Sequence, residues 1–76
     1  MPPSDLYQER YAFLLRRLRE AREASGLTQG QVAASIGRPQ SYIAKIDLGE
    51  RRVDVIELCE IANLYGLSVS YFILES

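Results

Sequence analysis

Four glycines, Gly26, Gly37, Gly49 and Gly66, divide the chain into stretches in which apolar residues recur every three or four positions. That combination limits the fold more than any other feature. A three-to-four spacing marks a helix with one buried face, and glycine ends helices because it accepts the left-handed conformation just past the last turn. Sustained two-residue alternation is missing, so no strand is expected. The segments read as five helices. The first opens with Asp5 and Gln8 as a capping pair after a loose Met1–Ser4 start and runs to about Ser25. Its Tyr7, Tyr11, Leu14, Leu18 and Ala21 face a core, and Arg10, Arg17 and Glu20 face water. Thr28 caps a second helix from Gln29 to about Ser35, with Val32, Ala33 and Ile36 inward. Pro39 suits a first helical turn, which predicts a third helix to about Leu48. Asp54 and Glu57 have capping-box spacing and open a fourth helix through Tyr65, and Ser68 caps a last short one to about Leu74. The expected fold is all-α: one five-helix domain over residues 1–76.

Composition narrows what such a domain can do. With 76 residues there is one small core, and the longest uninterrupted apolar run, Tyr11–Leu15, falls far short of the roughly 18 residues that span a bilayer. An intracellular, cytoplasmic protein without a membrane partner is expected. Cys59 is the single cysteine and histidine is absent, so neither an intrachain disulfide nor an ordinary zinc site can be built. General acid–base work at neutral pH leans on histidine, and the carboxylates stand singly with no phosphate-cradling glycine loop near them. No enzymatic activity, metal or cofactor is expected. The net charge of -1 is unevenly spread: residues 26–52 carry four basic and two acidic side chains, whereas residues 53–76 carry four acids and no base. A basic middle with an acidic second half is the pattern to explain.

The informative stretch is Gln29 to Gly49. Two helices joined by a short turn cross steeply, so the crossing needs a small residue and the turn needs one that tolerates positive φ. Ala33 and Gly37 meet those demands, and Ile43 and Ile46 point the apolar side of the following helix into the crossing.

Here the chain resembles the phage-repressor and Cro-like helix-turn-helix family, also called the XRE family. The resemblance covers residues 14 to about 72. It rests on Leu18, Arg22, Gly26-Leu27-Thr28-Gln29, Val32-Ala33, Ile36-Gly37, Gln40-Ser41-Tyr42-Ile43, Lys45-Ile46-Asp47, Gly49-Glu50-Arg51-Arg52, Leu58, Ile61, Ala62 and Gly66. It implies a lambda-repressor-like DNA-binding domain with the helix-turn-helix at about 28–48. Departures occur at Pro39, where a Ser or Thr cap is usual, at Gly30, which costs roughly 1 kcal/mol of helix propensity, and at Val53 and Leu48. Pro39 shifts the expected start of the third helix by a residue, with the Arg38 backbone as its cap.

The resemblance gives the outward face of the third helix a role in the major groove. Gln40, Ser41, Ala44 and Lys45 become base readers: glutamine can pair with adenine, serine with several base edges, lysine with guanine acceptors, and the alanine methyl with thymine. Gln29, at the start of the second helix, is expected to bind a phosphate through its amide and the first-turn N–H groups, with Arg38, Tyr42, Arg51 and Arg52 adding phosphate contacts. Arg16, Arg17 and Arg19 read as the wet side of the first helix. Arg22 and Asp47 match a family ion pair that bridges the first and third helices.

The end of the chain, Leu64 to Leu74, holds more apolar surface than a small domain hides. Phe72 matches a core position, and Tyr71, Ile73 and Leu74 are the expected homodimer interface, with Tyr7, Tyr11 and Phe13 as a second candidate surface. Cys59 is expected to be a small buried or half-buried apolar residue. The resulting expectation is a homodimeric regulator bound to double-stranded DNA at a palindromic operator. The alternative is a protein-interaction module or antitoxin-like chain that binds a toxin or other regulator, with DNA contact secondary. Short members of this family include phage repressors, restriction-modification controllers and antitoxins.

Overall fold

The computed structural model describes residues 3–74, with side chains from Leu6 onward. Four α-helices follow in order, α1 (Pro3–Ser25), α2 (Gln29–Ser35), α3 (Gln40–Asp47) and α4 (Val55–Tyr65), and a single 3-10 turn (Val69–Phe72) completes the described fold. The first helix starts two residues before the expected position, so Pro3 and Ser4 are helical and Asp5 lies inside the helix and not at its cap, while Met1 and Pro2 lie outside the described residues.

Local chemistry accounts for most boundaries. The Thr28 hydroxyl accepts from Gln31 N–H, and the Gln31 side chain accepts from Thr28 N–H, so a reciprocal pair satisfies two otherwise unbonded donors at the start of α2. Asp54 and Glu57 do the same for α4. Gly66, at φ 69°, lets the chain leave α4 in the left-handed conformation. Gly37, at φ 72°, makes the sharp turn between α2 and α3.

Two further boundaries differ from expectation. Pro39 has an extended backbone (φ -71°, ψ 155°) and is itself the N-cap of α3, so the helix starts one residue later and Arg38 is not its cap. The Pro39 carbonyl accepts from Tyr42 N–H at 3.0 Å, and the end carries no side-chain cap. The fifth helix is one 3-10 turn, capped by the Ser68 hydroxyl on Ser70 N–H, after which Ile73 is extended. Val69, Tyr71, Phe72 and Ile73 are β-branched or aromatic residues that lose rotamer freedom in an α-helix, which disfavours further turns.

The core draws on every element: Leu14, Leu18 and Ala21 of α1, Val32 and Ala33 of α2, Tyr42, Ile43 and Ile46 of α3, Leu58, Ile61 and Ala62 of α4, and Phe72, which is 0% exposed. The small Ala33 side chain is buried where α2 packs against α3, allowing the close crossing that aims one face of α3 outward. Tyr7 is 50% exposed and stands outside the core stripe, and Tyr11 is only partly buried. Cys59 is exposed, contrary to its expected burial.

Candidate nucleic-acid interface

The helical period of α3 buries Tyr42, Ile43 and Ile46, so Gln40, Ser41, Lys45 and Leu48 emerge exposed with Ala44 half-buried between them. Gln40 does not stand alone. Its Nε2 donates to Gln29 Oε1 at 2.8 Å, and Gln29 Nε2 donates to Asp47 Oδ2 at 2.8 Å. Asp47 Oδ2 also meets Arg22 Nη2 at 3.3 Å, with side-chain exposures of 12% and 17%. Arg22 Nη1 donates to the Leu27 carbonyl, and Arg19 Nη2 donates to the Asp47 carbonyl at 2.9 Å. Arg19 is therefore a brace between α1 and the end of α3 as well as a surface charge. Tyr65 packs beside this pair, and burial pushes its hydroxyl pKa up to about 12.

A second cluster lies between the start of α3 and the start of α4. Both Arg51 Nη atoms bond Glu57 at 3.0 Å, Arg38 Nη1 reaches Glu57 Oε2 at 3.2 Å, and Arg38 Nη2 reaches Glu60 Oε1 at 3.4 Å. Both guanidinia lie over the Tyr42 ring, Arg38 at 4.7 Å and Arg51 at 4.5 Å from its centre. The bonds from Arg51 and the Asp54 backbone outweigh desolvation and lower the Glu57 pKa to about 2. Tyr42 titrates above its ordinary value because it is buried and faces that carboxylate.

These contacts revise several expected phosphate donors. Tyr42 is in the interior with its hydroxyl buried, so it does not offer an outward O–H. Arg38 and Arg51 reach the surface with part of their donor set committed to acids of α4. Arg52 lies over the stacked Tyr7 and Tyr11 rings, at 5.0 and 4.8 Å, and donates to the Tyr7 hydroxyl. Gln29 is half-buried, and its amide is already part of the relay. Arg17 is more than a wet residue: it stacks on Phe13 and Tyr71 and donates to the Tyr71 carbonyl at 3.1 Å.

The gathering role of Glu57 was hidden in the sequence. Its spacing from Asp54 marks a cap, whereas its arginine partners arrive from the turn before α3 and the loop after it. The Gln29–Asp47 bond joins residues 18 apart and left no periodic signal.

Among the expected interface residues, Tyr71 packs edge-to-face on Phe72 at 5.1 Å, Ile73 is 43% exposed and Leu74 is half-buried. Tyr7, Arg10, Tyr11, Leu14, Phe72, Ile73 and Leu74 line one groove of about 260 Å³. The tail and the start of α1, two separate candidates in sequence, are thus neighbours. Apolar exposure is not confined to this region, however: Leu48, Val55 and Ile56 are 71%, 65% and 67% exposed.

Among the described residues, no group of three or more His, Cys, Asp or Glu could hold a metal ion, and no helix is long and apolar enough to cross a membrane.

A buried α2–α3 crossing that presents a polar helix face is the arrangement of a helix-turn-helix domain. The chain belongs to the helix-turn-helix domain family, which it matches over residues 14–70. Its XRE-like character is seen in a structure of an XRE-family like protein from Pseudomonas syringae pv. tomato str. DC3000, 40% identical with a TM-score of 0.85, covering 91% of this chain and 84% of that one. The restriction-modification controller protein C.AhdI from Aeromonas hydrophila is 27% identical with a TM-score of 0.74, covering 82% of this chain and 94% of its own. An uncharacterized HTH-type transcriptional regulator, y4dJ, from Sinorhizobium fredii (strain NBRC 101917 / NGR234) is 40% identical over 47 residues. That match covers 62% of this chain and 61% of the relative, less than two thirds of the relative's length.

Proposed function

We propose that the protein is a sequence-specific transcriptional regulator that acts as a homodimer on a palindromic operator, working by binding and not by catalysis. The observation that carries this reading is the outward face of α3, where exposed Gln40, Ser41 and Lys45 flank Ala44 while the apolar side of the helix is buried. Gln40, Ser41, Ala44 and Lys45 read base edges, and Gln29, Arg51 and Arg52 hold phosphates, with Arg38 in support. The chain acts as one DNA-binding domain in the cytoplasm. A short recognition helix reads few bases, so two copies are required on half-sites about one helical turn, ~34 Å, apart. The groove shared by α1 and the tail, lined by Ile73 and Leu74, is the surface for the second copy, whereas Tyr71 lines a separate depression with Ala21, Ala24 and Leu67.

Selection from a random duplex pool at moderate salt tests the reading: an enriched palindromic motif is expected, and an unselected pool refutes it. The exposed Val55 and Ile56 on the acidic α4 favour one rival, a module that binds another protein and touches DNA only secondarily. That rival predicts no enriched motif.

A further inference from the structure

The hydrogen bonds behind Gln40 have a direction that chemistry dictates. A glutamine amide has a donating and an accepting end and can be turned over at little cost when it is free. An ionised aspartate only accepts. Asp47 Oδ2 receives both Arg22 Nη2 and Gln29 Nε2, and the Arg19 bond to the Asp47 carbonyl steadies the backbone that carries it. Gln29 must therefore turn its donor to Asp47 and its acceptor to Gln40. Gln40 in turn points Nε2 at Gln29, which leaves Oε1 and the second Nε2 hydrogen for the DNA. Among the described residues neither has another hydrogen-bond partner. One donor beside one acceptor matches the N7 acceptor and N6 amino group of adenine. Guanine would set its O6 against Oε1, an acceptor facing an acceptor.

We propose that Asp47 is a specificity-determining positioning residue: acting through Gln29, it fixes the polarity of the Gln40 amide and so makes the operator position facing Gln40 adenine in preference to guanine. This rests on Gln40 being a base reader, and the experiment separates the two claims. Random-pool selection is run with the wild type, Gln40→Ala, Asp47→Ala, Gln29→Met and Arg22→Met. The operator position whose preference collapses in Gln40→Ala is the one Gln40 reads. At that position Asp47→Ala, which removes the acceptor that Gln29 donates to, should cut the adenine-over-guanine ratio roughly tenfold, the scale of one good base contact. Arg22→Met removes the ion pair but leaves Asp47 as an acceptor, so the ratio should hold within about twofold of wild type. Should Asp47→Ala lose its helical circular dichroism, Gln29→Met decides, because it breaks the relay without touching the ion pair. Gln29→Met weakens all sequences through its phosphate contact, and only the ratio at that position is scored. Retention of the full ratio in a folded Asp47→Ala, or in Gln29→Met, overturns the proposal. If Gln40→Ala changes no position, the reader assignment itself is wrong, and the proposal falls with it.

Discussion

Glu57 shows how much one side chain can be asked to do. It closes the cap of α4, accepts from Arg51 through both oxygens and from Arg38 through one, and its pKa is held near 2 against an ordinary 4.5. A depressed folded-state value means that the ionised form contributes its full stability above about pH 4.5. The contribution is lost as the pH falls toward 2. Glu57→Gln should therefore lower stability at neutral pH, by on the order of 1 kcal/mol after solvent screening, and the gap from wild type should close in urea melts taken down to pH 2.5. A gap independent of pH would separate Glu57 from the acid transition. Arg22 and Asp47 call for a different measurement, since each also touches other groups. A double-mutant cycle on Arg22→Ala and Asp47→Ala should give roughly 0.5 to 2 kcal/mol of coupling for a pair this shielded, and strict additivity would dismiss it. On the α3 face, Lys45→Ala should cost roughly 1 to 3 kcal/mol at the base it reads and relax the preference there, while Arg51→Ala should weaken all sequences alike and flatten the salt dependence. Titration of duplexes at two salt concentrations distinguishes the two patterns.

At the scale of elements, the parts that could be read from sequence are those governed by neighbours along the chain. Helices α2 and α4 have the expected bounds because Thr28 with Gln31 and Asp54 with Glu57 satisfy the first-turn donors from within four residues. Pro39 was ambiguous because it can either begin a helix or precede one, and the packing of α2 on α3 decides between those options. The last turn is shorter than its apolar spacing predicts, for a related reason. Its apolar spacing fits a helix, but the complete burial of Phe72 and the extended Ile73 direct the chain along α1 instead. Base-reader candidates were visible as a helical face, whereas the relay behind Gln40 and the clasp on Glu57 join residues distant in sequence and follow no period. Gly30 offers a clean test of the local part. A Cβ there would lie 3.9 Å from both Gln40 Cγ and Thr28 Oγ1, an ordinary contact, so the backbone can accept alanine. Gly30→Ala should raise stability by roughly 0.5 to 1 kcal/mol in denaturant melts, and a loss would show that the Gln40 side chain cannot accommodate the methyl.

For the whole molecule, the groove between α1 and the tail gives the dimer reading its test. Ile73→Asp puts a carboxylate at the rim of that groove, where exclusion of water would leave it unpaired. It should shift sedimentation toward the 8.6 kDa monomer and weaken operator binding while preserving the helical spectrum. If Ile73→Asp remains dimeric and Val55→Asp dissociates, the contact runs over the start of α4 instead. A wild type that is monomeric at DNA-binding concentrations rules out the dimer. Cys59, exposed on α4, supplies the ruler for that architecture. It is the only thiol in the sequence, so a maleimide spin label would attach once per subunit without any engineered site. A two-fold pair would then give a single label-to-label separation by pulsed electron resonance, and adding operator duplex would show whether the two reading heads are already spaced for the DNA or move apart to reach it.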